Sequence, residues 1–290
     1  MTNPQIITVV PYTPSKIAAG ARCRGAAVPF VRDPSSQFAW DVLSGLSLSP
    51  KMLPAKYLYD DFGSEIFQAI YEQPEYYPTR TETALLERSV AEIAELTGGK
   101  RPLIEFGSGA SRKTRILLDA MPQIRRYVPI DISLGALTEA SRSLSDDFPA
   151  LRIDRLHEDF THISVNRPAI AGLAGLGFFR ARRSAISARL KPPPCSPAGG
   201  AFLVGEGQLL LGIDLLKDPA TLIRAYDDAA GVTAAFNLNL LTRINRELRG
   251  NFSTGRFEHR SVWNAESSRI EMHLVSLGAQ VGAGSCHGRE

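Results

Sequence analysis

The sequence predicts an α/β fold in which a parallel, doubly wound sheet is joined to a smaller α+β domain. Short apolar segments alternate with amphipathic helical segments between residues 101 and 216, as in strands joined by crossover helices. The first of these strands runs into a glycine-containing turn and a new helix within residues 104–114. Acidic residues follow the next two strands, so polar side chains are expected at one edge of the sheet.

Several helices are predicted before the first strand of that sheet. Residues 1–37 carry scattered Pro, Gly and Ser without a sustained period, and we predict a loose lead-in there. Apolar residues then recur at helical spacing in the segments 38–46, 57–73 and 79–99, the last of which ends at a double glycine.

The later elements divide the chain into two domains. The predicted order is strand 101–106, helix 111–121, strand 127–132, helix 134–148, strand and turn 151–160, strand 176–179 and strand 208–216. Beyond Lys217 the pattern is helical again, and residues 257–276 alternate like two antiparallel strands with a turn near Asn264–Ser267. We therefore predict one domain at 80–216 and a smaller one built from 38–79 plus 217–276.

Composition excludes several classes of protein. At 290 residues with 44% hydrophobic content, the chain can bury a substantial core. It has no run of about 18 apolar residues and no secretory signal pattern at its start. We therefore expect a cytoplasmic protein without a membrane partner. Cys23, Cys195 and Cys286 are isolated, which argues against a disulfide framework and a zinc site. The sequence indicates no oligomeric state.

The net charge of +3 has a local origin. The chain has 33 basic and 30 acidic residues. Five of the basic residues lie within residues 180–205, a segment that contains no acidic residue. Without these five, 28 basic residues face 30 acidic ones. Because nucleic-acid-binding proteins spread basic residues over a face or stripe, we expect no nucleic-acid partner.

The segment IEFGSGASRKT, residues 104–114, is the candidate cofactor site. Gly107 and Gly109 flank Ser108 and allow the backbone to turn sharply and approach a ligand, while the N–H groups at the start of the new helix favour negative charge. A dinucleotide-binding loop would have a small residue at position 112, which is Arg here, so the pattern argues against NAD.

Residues at two further strand ends narrow the choice of ligand. Asp131 ends the strand after the glycine turn, where a carboxylate can accept both ribose hydroxyls. Asp159 and Phe160 end the next strand, where a carboxylate can accept from an adenine amino group and a ring can lie against the base. Each acid alone is also compatible with a solvated strand end, and another adenine ligand stays open. Their order and spacing favour S-adenosylmethionine.

Several longer strings resemble a known family. The chain resembles the histidine-specific methyltransferases, whose known member makes trimethylhistidine (hercynine) for ergothioneine biosynthesis. The resemblance covers roughly 38–178 and 204–276. It is carried by KYLYDDFGSEIF, PEYYPTRTE, IEFGSGASRKT, YVPIDIS, DLLKDP, AYDDAAGVTAAFNLNLLTRINREL and IEM. It implies a Rossmann-like S-adenosylmethionine methyltransferase sheet and a substrate-binding domain.

The resemblance also implies roles for individual residues. On the cofactor side, it places Gly107, Ser108 and Gly109 in the glycine loop, Lys113 toward the methionine part, Asp131 at the ribose, and Asp159 with Phe160 at the adenine. On the histidine side, it implies substrate contacts by Tyr76, Tyr226 and Met272 and a catalytic role for Tyr59. Tyr76 and Tyr77 are also compatible with buried aromatics whose hydroxyls are satisfied by the protein.

Two segments depart from the family. The strand LGFF is followed by RARRSAIS, which is what the family's PGSTIGNL string becomes when its codons are read one base out of frame. We therefore hypothesise that about 180–203 is translated out of frame; a lineage-specific loop and a nucleic-acid arm are the alternatives. The tail 277–290 lacks the family's imidazole-binding Glu-x-Ser string. Both departures leave open a catalytically impaired chain that retains at most cofactor binding.

Overall fold

A computed structural model describes residues 5–10, 34–160, 163, 167–170, 173–181 and 207–279. Its strands are β1 (Ile6–Val10), β2 (Lys51–Pro54), β3 (Leu103–Phe106), β4 (Arg126–Asp131), β5 (Arg152–Ile153), β6 (Leu156–His157), β7 (Leu176–Ala181), β8 (Gln208–Ile213), β9 (Phe257–Asn264) and β10 (Arg269–Ser276). Its helices are α1 (Pro34–Leu46), α2 (Asp61–Tyr71), α3 (Tyr77–Thr97), α4 (Arg112–Ala120), α5 (Leu134–Asp147), α6 (Pro219–Arg224) and α7 (Val232–Leu248). None of these described helices is both long and apolar enough to cross a membrane.

The chain forms two compact units. The parallel-sheet unit comprises Tyr77–Leu216, and the four-strand unit comprises Met1–Tyr76 together with Lys217–Glu290. The boundary between them thus falls inside the PEYYPTRTE string, three residues before the predicted boundary at 79/80, and recurs at 216/217.

The parallel-sheet unit contains six described strands in the order β5–β4–β3–β7–β8, with β6 also pairing with β4. Every pairing in it is parallel. The predicted α/β fold with a Rossmann-like sheet is therefore confirmed. Because β3 and β4 are neighbours, with Phe106 opposite Ile130, the turns that follow these two strands lie at the same edge.

Both faces of this sheet are covered, which explains the nearly continuous apolar runs in its strands. On one face Leu103, Tyr127 and Phe178 pack into a core with side chains from α3, α4 and α5. On the other face Ile104 and Val128 belong to a second core. Side chains alternate between the two faces along each strand, as pleating requires.

The four-strand unit has a sheet in the order β2–β1–β10–β9. β1 and β2 are parallel, whereas β1–β10 and β10–β9 are antiparallel. The predicted pair of antiparallel strands within 257–276 is confirmed, with Asn264 opposite Arg269 beside the connecting turn. Helix α7 buries Phe236 and Leu240 in the core of this unit.

The prediction of a loose lead-in at 1–37 is wrong for Ile6–Val10, which form β1, and for residues 34–37, which begin helix α1. This strand lies between β2 and β10, and it pairs antiparallel with β10, where Val9 lies opposite Met272. Its partner β10 lies near the other end of the chain. A five-residue strand gives no sustained local period, so the pairing could not be recognised from neighbouring residues.

Strand β7 extends two residues beyond the predicted LGFF. The backbones of Arg180 and Ala181 pair with Gly212 and Ile213 of β8. Residues 182–206, which hold most of the segment hypothesised to be out of frame, lie outside the described residues, as do residues 280–290 of the tail. The out-of-frame hypothesis stays a prediction.

Candidate functional site

The turn between β3 and α4 has a backbone that glycine favours. Gly107 and Gly109 have φ values of +72° and +51°, in the left-handed region where a side chain is strained. The N–H groups of Gly107 and Ser108 both donate to the carbonyl of Ile130, at 2.8 and 3.3 Å. The turn is therefore tied to the end of β4, and α4 begins directly after it.

Asp131 lies against this glycine turn. Its Oδ2 accepts the backbone N–H of Gly109 at 2.8 Å, and its Oδ1 accepts that of Ser133 at 2.9 Å. An ionised carboxylate offers about four lone-pair positions, so each oxygen keeps one for a further donor. The group can therefore hold the turn and accept two hydroxyls from a ligand at once.

Asp159 and Phe160 follow β6 at the same edge of the sheet. The N–H of the preceding Glu158 donates to the carbonyl of Asp131 at 3.1 Å, which keeps the two acidic segments adjacent. The ring of Phe160 is half-buried, and its Cε1 lies 3.6 Å from where a Cβ on Gly107 would be. An aromatic face thus stands beside the glycine turn.

Lys113 is held by an acidic side chain that sequence reasoning did not single out. Its side chain is buried, and its ammonium forms an ion pair with Oε2 of Glu82 on α3. Glu82 belongs to the PEYYPTRTE string, but only the tertiary structure brings it to the first turn of α4. The structure thus places Lys113 near the glycine turn with its charge balanced.

Two buried polar atoms near this turn lack a hydrogen-bond partner among the described residues. They are Oε1 of Glu82 and Oγ of Ser108. In addition, a Cβ on Gly109 would meet no described heavy atom within 4 Å. Buried polar atoms normally find partners, so this arrangement fits a polar ligand approaching the backbone of the turn.

Glu105 supports the turn from inside the protein. This buried carboxylate accepts hydrogen bonds from Tyr127 Oη and Thr114 Oγ1, both at 2.5 Å, and Tyr127 Oη lies 3.0 Å from Ser111 Oγ. Burial, together with the charge of Glu105, raises the pKa of Tyr127 well above its usual range. Glu105 therefore serves at least in part to position the turn.

In the four-strand unit, Tyr76 and Tyr226 are brought together. Their rings meet edge to face with centroids 6.1 Å apart, and Tyr76 is buried. Tyr59 is half-buried and packs edge to face on Phe67 and Phe236, at 5.1 and 5.3 Å. These phenols belong to one aromatic group in this unit.

Met272 and Tyr77 lie in different units of the chain. Met272 lies on β10, half-buried, and packs against the core of the four-strand unit. Tyr77, next to Tyr76, belongs to the parallel-sheet unit, where its hydroxyl donates to Asp214 Oδ2 at 2.6 Å. For Tyr77, the interpretation as a phenol whose hydroxyl is satisfied by the protein is supported, although its side chain is only half-buried.

Comparison with known proteins identifies relatives over most of the chain. The family described as "Histidine-specific methyltransferase, SAM-dependent" matches residues 38–285. Histidine N-alpha-methyltransferase of Mycolicibacterium smegmatis is 42% identical over 243 residues, covering 83% of this chain and 75% of that protein. The Mycobacterium tuberculosis protein of the same name is 41% identical over 247 residues, with the same coverage. Ergothioneine biosynthesis protein 1 of Neurospora crassa is 28% identical over 211 residues, covering 68% of this chain and 23% of that protein.

The family match spans the motif strings in both units, including those around Gly107 and Tyr226. The match also spans 180–203 and continues past Ser276. With a family match over most of its length and relatives at 41–42% identity, this chain belongs to the histidine-specific, S-adenosylmethionine-dependent methyltransferase family.

Proposed function

We propose that this chain transfers methyl groups from S-adenosylmethionine to the α-amino nitrogen of L-histidine and forms trimethylhistidine, a step of ergothioneine biosynthesis. The 42% identity to a histidine N-alpha-methyltransferase over 83% of the chain carries this proposal. The same similarity favours the enzyme over a catalytically impaired chain. The reaction requires neither a nucleic-acid nor a membrane partner, and we place it in the cytoplasm.

The residues at the glycine turn fit the cofactor, which supplies a methyl group on a positively charged sulfur. Asp131 accepts the two ribose hydroxyls through the lone pairs that its backbone bonds leave. Phe160 lies against the adenine, and Asp159 accepts from its amino group. Lys113 attracts the carboxylate of the methionine part, and Oε1 of the neighbouring Glu82, which has no partner among the described residues, accepts from the ammonium of the same part.

In the four-strand unit, phenols orient the amino acid. Tyr76 and Tyr226 bind its charged ends, Met272 packs beside it, and Tyr59 orients the amine and relays the proton that the amine must lose before it attacks. Methyl transfer to an amine is an in-line displacement, so positioning and exclusion of water supply most of the acceleration. Aromatic rings also attract the quaternary ammonium product.

The decisive test uses the purified full chain. S-Adenosylmethionine and L-histidine are titrated by calorimetry, and the products of a mixed incubation are identified by mass spectrometry, with L-tryptophan as a comparison substrate. We expect α-N-methylated histidine that accumulates with time. Cofactor binding without methylated histidine would overturn the proposed function and favour the impaired chain.

Tyr226→Phe is expected to raise the KM for histidine about 10- to 100-fold, because a hydrogen bond to a charged group contributes about 1.5–3 kcal/mol. The Kd for the cofactor should stay unchanged. Steady-state kinetics measure the first quantity and calorimetry the second. Tyr77→Phe is the matched control, since its hydroxyl donates to Asp214. An equal rise in KM for both variants would contradict the role of Tyr226.

A further inference from the structure

The backbone carbonyl of Tyr226 is held by two side chains of β9. His259 Nε2 lies 2.8 Å from this oxygen, and Ser261 Oγ donates to it at 2.6 Å. Both side chains are on the same face of the strand, because they are two residues apart. This carbonyl lies in a connecting segment and is thus held by two side chains.

The protonation state of His259 follows from its other neighbour. Asn237 on α7 is fully buried, and its Nδ2 lies 2.9 Å from His259 Nδ1 and 3.2 Å from the carbonyl oxygen of His273. The opposite amide orientation would set two acceptors, Asn237 Oδ1 and the His273 carbonyl, against each other. Nδ1 therefore accepts from Asn237, and Nε2 carries the proton that it donates to Tyr226.

Burial agrees with a neutral imidazole. The His259 side chain is 1% exposed, and desolvation lowers its pKa below the usual value. The hydrogen bond to Tyr226 and the charges of Asp227 and Asp228 act in the opposite direction, while His273 lowers the pKa further. Asp227 Oδ1 is 3.9 Å from Nε2, too far for a hydrogen bond.

The other side of the same segment is also fixed. Asp228 accepts the N–H groups of Val232 and Thr233 at 2.8 and 2.7 Å and so caps the start of α7. Tyr226 therefore lies between a capped helix and the His259–Ser261 pair. Its ring packs edge to face on that of Tyr76.

We infer that His259 is a positioning residue for histidine methylation: its neutral imidazole, oriented by Asn237, holds the Tyr226 backbone and thereby the phenol that binds the substrate. This inference rests on the proposed function. It assigns the buried His259–Asn237–Ser261 group a role in substrate binding, although none of its members need touch the substrate.

A double-mutant cycle with Tyr226→Phe tests the inference. His259→Leu removes the donor and is expected to raise the KM for histidine about tenfold, with an unchanged cofactor Kd. His259→Gln carries an N–H donor at a similar reach and should recover most of this loss. In the Tyr226→Phe background, His259→Leu should add less than about twofold, because coupled residues are not additive. Glu258→Gln, on the exposed face of β9, is the control.

The outcomes separate the two proposals. A wild-type chain that methylates no histidine overturns the proposed function and, with it, this inference. An active wild type in which His259→Leu and Tyr226→Phe act additively overturns only the inference. The same holds if His259→Leu lowers kcat without changing KM, or if His259→Gln is as impaired as His259→Leu.

Stability should also depend on pH through His259. Because its pKa is lower in the folded protein than in the unfolded chain, the unfolded chain binds more protons as the pH falls below about 6.5. Stability from this group is therefore present above that pH and lost as the pH falls toward the folded pKa. Melting temperatures of wild type and His259→Gln between pH 8 and 5 should converge below about pH 6.5. Parallel curves would contradict a buried neutral imidazole.

Discussion

Asp131→Asn is expected to weaken binding of S-adenosylmethionine at least about 100-fold. The carboxylate accepts the N–H groups of Gly109 and Ser133 and, in the proposed complex, two ribose hydroxyls. An amide keeps one oxygen and turns the other acceptor into a donor, which then faces an N–H group and a hydroxyl. One ribose hydroxyl therefore loses its acceptor, and the other donates to a neutral oxygen instead of a charged one. A hydrogen bond to a charged group contributes about 1.5–3 kcal/mol and a neutral one about 0.5–1.5 kcal/mol, so the two losses together correspond to about this factor.

Calorimetry with S-adenosylhomocysteine, which cannot react, measures the change without turnover. Asp147→Asn is the control, since this half-exposed carboxylate pairs with Arg115 on the surface. A 2′-deoxy analogue of the ligand separates two causes of the loss. If Asp131 binds the ribose, the substitution should cost less affinity for the analogue than for the parent compound. Unchanged affinity for the parent compound would refute the assignment.

The sheet could be predicted because its signals are local. β3, β4 and β7 are buried on both faces, so each is a short apolar run followed by a turn or a helix. β1 could not be predicted, since its five residues are recognisable as a strand only from their pairing with β10, as between Val9 and Met272. Long-range pairing in an antiparallel sheet leaves little trace in either strand alone.

The residues of the candidate site also fall into two groups, those that local sequence predicts and those that only the fold brings together. The glycine turn and Asp131 can be recognised in the sequence because each lies at the end of one predicted strand. Glu82 beside Lys113 and His259 beneath Tyr226 are contacts between segments far apart in the chain. A lone buried His on a strand is more often structural than functional. Its position under a predicted substrate residue becomes visible only in the fold.

Gly107→Val is expected to abolish measurable cofactor binding, with a loss of about 100-fold or more, whereas Gly98→Val should leave it unchanged. The two glycines have nearly equal φ values of +72° and +69°. A β-branched residue in this region costs each variant about 1–2 kcal/mol of stability. Strain in the backbone is therefore matched between them, and only the surroundings of the side chain differ.

Those surroundings decide the outcome. A Cβ at Gly98 would meet no described heavy atom within 4 Å, on an exposed turn after α3. At Gly107 it would stand 3.6 Å from the ring of Phe160, and the methyl groups of Val would fill the gap between that ring and the turn, where we propose the adenosine binds. Thermal melts should show similar destabilisation of both variants, and calorimetry should separate them. If Gly107→Val does not fold, Gly107→Ala carries the same comparison against Gly98→Ala at lower strain. Equal cofactor affinity in either matched pair would mean that the ligand does not approach the backbone at Gly107.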